Sequence, residues 1–256
     1  MLAHSFATLQ EYSGGRAVIG IGVGDSSINN LGLKPARLKR FEQVIQGMRK
    51  LLAGETANFD GCDIEVSWPP CKVAVVMACT GPRSLQLGGR IGDGALFQVG
   101  ADPRLVEYAK KNIAIGAKQA NRDLSEIKLY QRLSFAVSGN REQVRKEARG
   151  YASIAANTIY RSIPKEEIPE ALYADLERMV EQYNYLQHGS MDGDQAALLT
   201  DRILDALGIV GTPEEAVPRL KELMDLGVEN FVFPIATKHP DAVIELIADK
   251  VMPHVS

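Results

Sequence analysis

Residues 17–22 (Ala-Val-Ile-Gly-Ile-Gly) and 73–78 (Val-Ala-Val-Val-Met-Ala) are apolar, largely β-branched runs that stop abruptly. The first breaks into Gly22-Val-Gly24-Asp25-Ser26-Ser27 and the second into Cys79-Thr80-Gly81-Pro82, and a helix-forming stretch follows each. A run of this kind is a βα unit whose strand end opens onto solvent or a ligand. Further strand candidates are 95–99, 128–137 and 230–234, separated by stretches that mostly read as helix. Strands alternating with helices predict a parallel sheet covered by helices, an α/β architecture.

The clearest helix is predicted around residues 35–54, where Leu38, Phe41, Val44, Ile45, Met48, Leu51 and Leu52 recur at helical spacing between Pro35 and Gly54. Thr212-Pro213-Glu214-Glu215 is a capping-box signature that opens a second helix, with Leu220, Leu223 and Met224 as its buried face and Gly227 at its close. Pro218 removes one bond of that helix's ladder, and a slight kink is expected there. The interval 142–206 is longer and more polar, with helical patterns at 144–159 and 172–185 and a loop at 187–194. No repeat, low-complexity tract or linker interrupts the chain.

A chain of 256 residues that is 45% hydrophobic can bury one substantial core, and α/β barrels of this size form one domain. A net charge of −3 with interspersed signs offers no basic field to a nucleic-acid backbone. The apolar runs fall far short of the roughly 20 residues a membrane helix needs, and no basic-then-apolar leader opens the chain. A soluble cytoplasmic protein with a small-molecule substrate is the expectation. Cys62, Cys71 and Cys79 form no even disulfide framework, and His4, His188, His239 and His254 have no metal-ligand spacing, so no metal site is expected.

Taken in order, Gly15-Arg16, Gly20 to Asp25, Leu31-Gly32-Leu-Lys-Pro35-Ala36, Leu51-Leu52-Ala-Gly54-Glu55, Gly211-Thr212-Pro213-Glu214-Glu215 and Leu226-Gly227-Val228 resemble the luciferase-like flavin and deazaflavin oxidoreductases. The likeness runs from about residue 7 to 247 and implies a TIM (β/α)8 barrel fold of the bacterial luciferase-like type. Members of that family are closed barrels, whereas only five strands are legible here, and the Gly20–Asp25 motif resembles the end of the family's fourth strand. The expectation is therefore a single barrel domain over 1–256, lacking its first three βα units, with a helical insertion around 142–206. It should form a wall of five parallel strands in chain order.

The resemblance implies an oxidoreductase that transfers a hydride between coenzyme F420 and a small organic substrate. The alternatives are an FMN-dependent monooxygenase and a non-catalytic relative, and the complete protein is expected to be a homodimer. Asp25 takes the role of proton donor or acceptor by resemblance, although from its position alone it could equally cap the following turn. The resemblance places Gly22, Gly24, Ser26, Ala78, Cys79, Thr80, Gly81 and Pro82 against the cofactor. Glycine there lets backbone approach a ligand, and the helix start after Gly81 could receive a phosphate or ring edge. The Cys79 side chain reads as a buried inert thiol rather than a nucleophile, because no histidine or lysine lies near it in sequence to lower its pKa. Gln98 and His188 are candidate substrate contacts, against packing and solvated-loop readings respectively, and Asp93 reads as the anchor of a turn.

Overall fold

The computed structural model describes residues 1–24, 26–187, 189–190, 193–235 and 239–255, with the side chains of Ser26 and Ser27 outside the description. The strands are β1 (Val18–Ile21), β2 (Ala57–Phe59), β3 (Cys62–Ile64), β4 (Ala74–Cys79), β5 (Gly94–Phe97), β6 (Lys128–Arg132), β7 (Ser134–Val137), β8 (Gly208–Gly211) and β9 (Asn230–Val232). The α-helices are α1 (Leu2–Tyr12), α2 (Ser26–Asn30), α3 (Leu38–Leu52), α4 (Pro82–Ile91), α5 (Pro103–Gln119), α6 (Arg141–Ser162), α7 (Glu170–Glu181), α8 (Asp194–Ala197), α9 (Asp201–Leu207), α10 (Pro213–Asp225), α11 (Pro240–Lys250) and α12 (Met252–Val255).

Five strands form one parallel wall in the order β1-β4-β5-β6-β9, which is their order in the chain. The wall does not close, and β1 and β9 are its two edges. The expected 128–137 strand is divided at Leu133, whose N–H donates to the Val232 carbonyl at 3.1 Å. Beyond that residue β7 leaves the wall and pairs in parallel with β8.

Strand alternation sorts side chains between the two faces. Ile19, Val75 and Met77 pack with Phe41, Ile45 and Met48 of α3. Ala95, Phe97 and Leu129 join the larger core with Leu105, Ala109 and Ile113 of α5. Helices α4 and α5 lie unusually close because Gly89 and Gly116 face the partner helix, where a Cβ would meet the carbonyls of Ile113 and Gln86. Asp93 anchors the turn into β5 as expected, accepting from the Val75 N–H at 2.8 Å and pairing with Arg49 at 2.6 Å.

Several boundaries differ from the sequence reading. Helix α3 starts at Leu38 with Arg37 as its N-cap, so Pro35 lies in the preceding loop. The predicted 172–185 helix ends at Glu181, and a separate 3-10 turn covers Tyr185–Gln187. The β2–β3 hairpin was not legible in the hydrophobic pattern because its strands are only three residues long and mostly exposed. Its signal is the Asp60-Gly61 turn, both residues at positive φ (54° and 88°), as a tight hairpin of this type requires. Strand β8 was missed because Gly208-Ile-Val-Gly211 is too short to separate from the helix before it.

The 142–206 interval lies over the C-terminal end of the wall. The Ser162 carbonyl at the end of α6 sits beside Gly81. The 3-10 turn at Tyr185–Gln187 packs against α2, which follows β1. Among the described residues no helix is long and apolar enough to cross a membrane.

Candidate functional site at the C-terminal strand ends

The inner face of the wall is identified by its glycines. A Cβ at Gly94 would touch Val76 and Tyr130, and one at Gly22 would stand 3.2 Å from the Ala78 Cβ. Strand register then places Gly20, Gly22, Val76, Ala78, Leu96, Gln98, Tyr130 and Arg132 on this face. Towards the C-terminal ends of β1 and β4 the surface consists of Gly20, Gly22 and Ala78, all exposed. A Cβ at Gly20 would meet nothing within 4 Å. The result is a flat floor on which a planar ring can lie against backbone. Past it the chain turns at Gly24, whose φ of +96° and contact with Ile28 both exclude a side chain.

A polar rim continues this floor. Arg132 reaches Gln98 Oε1 at 3.4 Å from the end of β6, and its guanidinium lies 5.3 Å from the ring centroid of Tyr151 on α6. The Tyr151 hydroxyl oxygen is buried, with the Arg132 guanidinium as the donor beside it. Burial raises its pKa above the ordinary phenol value, an effect partly offset by the Arg132 charge. Arg132 and Tyr151 were not singled out in the sequence. The available signal was the alternation of Lys128-Leu-Tyr-Gln-Arg132, which sets Arg132 opposite the buried Leu129 and Gln131 and at a strand end.

The structure separates the expected contacts into groups. Gly22, Ala78 and Gln98 share the inner face, and Gly24 forms its mouth. Cys79 points the other way: its Sγ lies 3.5 Å from the Met77 carbonyl oxygen and 3.8 Å from that of Leu96, among helix-facing residues. Burial pushes this thiol up to about 12, and its Sγ lies away from the inner face. The Thr80–Pro82 turn opens α4 with Gly81 as N-cap and Pro82 in the first turn. The Thr80 N–H donates to Ser84 Oγ at 3.2 Å, and the Thr80 carbonyl accepts from the Tyr108 hydroxyl at 3.5 Å. A Cβ at Gly81 would stand 3.0 Å from the Ser162 carbonyl oxygen, so this glycine serves helix packing as well as any ligand. Asp25 and His188 lie outside the described residues, as does the Ser26 side chain, whose backbone begins α2.

A separate cavity of about 760 Å³ opens between Arg104 and residues 165–170. Its cations are already engaged, Arg104 with Asp102 at 2.8 Å and Lys165 over the Tyr173 ring, and none of the strand-end residues lines it. Among the described residues no group of His, Cys, Asp and Glu could hold a metal ion.

Known proteins resemble this chain along most of its length. A 5,10-methylenetetrahydromethanopterin reductase from Methanolobus tindarius is 30% identical over 238 residues, covering 90% of this chain and 71% of the relative. An F420-dependent glucose-6-phosphate dehydrogenase from Beutenbergia cavernae is 24% identical over 265 residues, covering 99% of this chain and 73% of its own. Among solved structures, the coenzyme F420-dependent tetrahydromethanopterin reductase of Methanopyrus kandleri superposes with a TM-score of 0.74 at 24% identity, over 100% of this chain and 79% of that one. The profile of the luciferase-like monooxygenases matches residues 1–230. With that match spanning most of its length, the chain belongs to the luciferase-like monooxygenase family.

Proposed function

We propose that the protein is an oxidoreductase that transfers a hydride between coenzyme F420 and a small organic substrate at the C-terminal face of the wall. The observation that carries this reading is the floor of Gly20, Gly22 and Ala78, which fits a flat tricyclic ring, at the strand ends where barrel enzymes hold their sites. The choice of F420 is supported by relatives aligned along nearly the whole chain, including the F420-dependent dehydrogenase. When bound, the deazaflavin supplies or accepts the hydride, and the protein contributes position, dryness and a proton.

In this reading Gly22 and Ala78 seat one face of the ring on backbone. Helix α6 closes the site from above and excludes water, and Gln98 faces the substrate. Asp25, following the obligate glycine turn at Gly24, holds the proton that moves as the hydride does.

The FMN-dependent branch is the competing reading, represented among solved structures by a Baeyer–Villiger monooxygenase in complex with FMN, at a TM-score of 0.63. Equilibrium dialysis of the protein against an equimolar mixture of F420 and FMN separates the two. Retention of F420 is the expected outcome, and preferential retention of FMN would overturn the cofactor assignment.

A further inference from the structure

Arg132 stands half-buried on the inner face at the end of β6. Arg49, Arg90 and Arg145 are each paired with a carboxylate at 2.6–2.8 Å. Among the described residues no carboxylate lies within ion-pair distance of Arg132. Its neighbours are neutral: the Tyr151 ring beneath the guanidinium and the Gln98 amide oxygen at 3.4 Å. A partly desolvated cation lacking a counter-charge is costly, and the cost is recovered when an anion arrives. Tyr151 flanks the guanidinium on one side, and the N–H groups not directed at Gln98 or Tyr151 remain available to an oxyanion. With its oxygen engaged by Arg132, the Gln98 amide has its Nε2 donors left over, and no acceptor for them lies among the described residues.

We propose that Arg132 and Gln98 form an anion-recognition pair, and that the substrate processed at this face carries a carboxylate or phosphate group. The inference rests on reading this face as the hydride-transfer site. Coenzyme F420 also carries oxyanions, so the test separates substrate from cofactor as the source.

Thermal unfolding of the protein is followed with rising inorganic phosphate at constant ionic strength, and F420 is titrated in parallel, for the parent, Arg132→Gln and Gln98→Leu. Phosphate should stabilise the parent, with an apparent affinity about tenfold or more weaker in Arg132→Gln and several-fold weaker in Gln98→Leu. F420 affinity should stay within about twofold in all three. No phosphate effect in the parent, or an equal one in Arg132→Gln, overturns the proposal. A loss of F420 affinity that parallels the phosphate loss moves the anion to the cofactor and overturns the substrate assignment. If the parent binds phosphate through Arg132 but does not bind F420, the hydride-transfer reading fails while anion recognition stands. Should Arg132→Gln fail to fold, Arg132→Lys keeps the charge without the fork, and a phosphate response equal to the parent's overturns the proposal.

Discussion

Single residues of the site differ in how openly the sequence announces them. Gly24 was conspicuous, and the structure supplies the reason: its φ of +96° and the proximity of Ile28 leave room for no other residue. Cys79 was equally conspicuous for its place at a strand end, yet alternation turns its side chain into the helix-facing core, where burial lifts the thiol to about 12. Arg132 went unnoticed because an arginine in a strand carries no motif, and only the pairing register shows that it shares a face with Gln98. Asp25 remains the residue on which the proposed chemistry turns. Asp25→Asn keeps size and most hydrogen bonding but removes the titrating group, so turnover should fall by roughly 10²–10⁴-fold with little change in cofactor affinity. A turn-capping aspartate would instead leave turnover near normal and cost about 1 kcal/mol of stability. Steady-state kinetics with a parallel F420 titration distinguishes the two outcomes.

Elements with strong periodicity or explicit caps were the most legible. Helix α10 is the clearest instance: Thr212 accepts from the Glu215 N–H while the Glu215 carboxylate accepts from the Thr212 N–H, the reciprocal box that the four-residue signature predicts. Pro218 sits within it, and the helix continues through to Asp225. Thr212→Ala should lower unfolding stability by about 1 kcal/mol, readable as a shift in the denaturant midpoint at constant m-value. Of the five wall strands, β1 and β4 were the most legible, each a largely β-branched run ended by small residues, while β5, β6 and β9 were read from short apolar or alternating stretches between helical ones. Strands β2, β3 and β8 were not, because a short strand leaves too few residues for alternation to register, and β2 and β3 have pairing partners only each other. The course of α6 across the strand ends was beyond the sequence as well, since helical periodicity reports an apolar face but not what that face meets.

At the scale of the whole molecule, two edges and two terminal helices expose apolar surface. Val18 on β1 is 51% exposed and Val232 on β9 41%, while Leu2, Leu9 and Tyr12 of α1 and Ile244 of α11 also face outward. An open parallel sheet with such edges favours association, so light scattering of the purified chain should report self-association. A monodisperse monomer that unfolds cooperatively would count against that expectation. The central claim is that a deazaflavin lies on the small-residue floor at the ends of β1 and β4, and Gly22 tests it most directly. A leucine there covers the floor beside Ala78 without entering either packed core. F420 is titrated into the parent and Gly22→Leu, with circular dichroism confirming that both are folded. The account predicts saturable binding by the parent and an affinity about tenfold or more weaker in the variant. Equal affinity in a folded Gly22→Leu protein would contradict it.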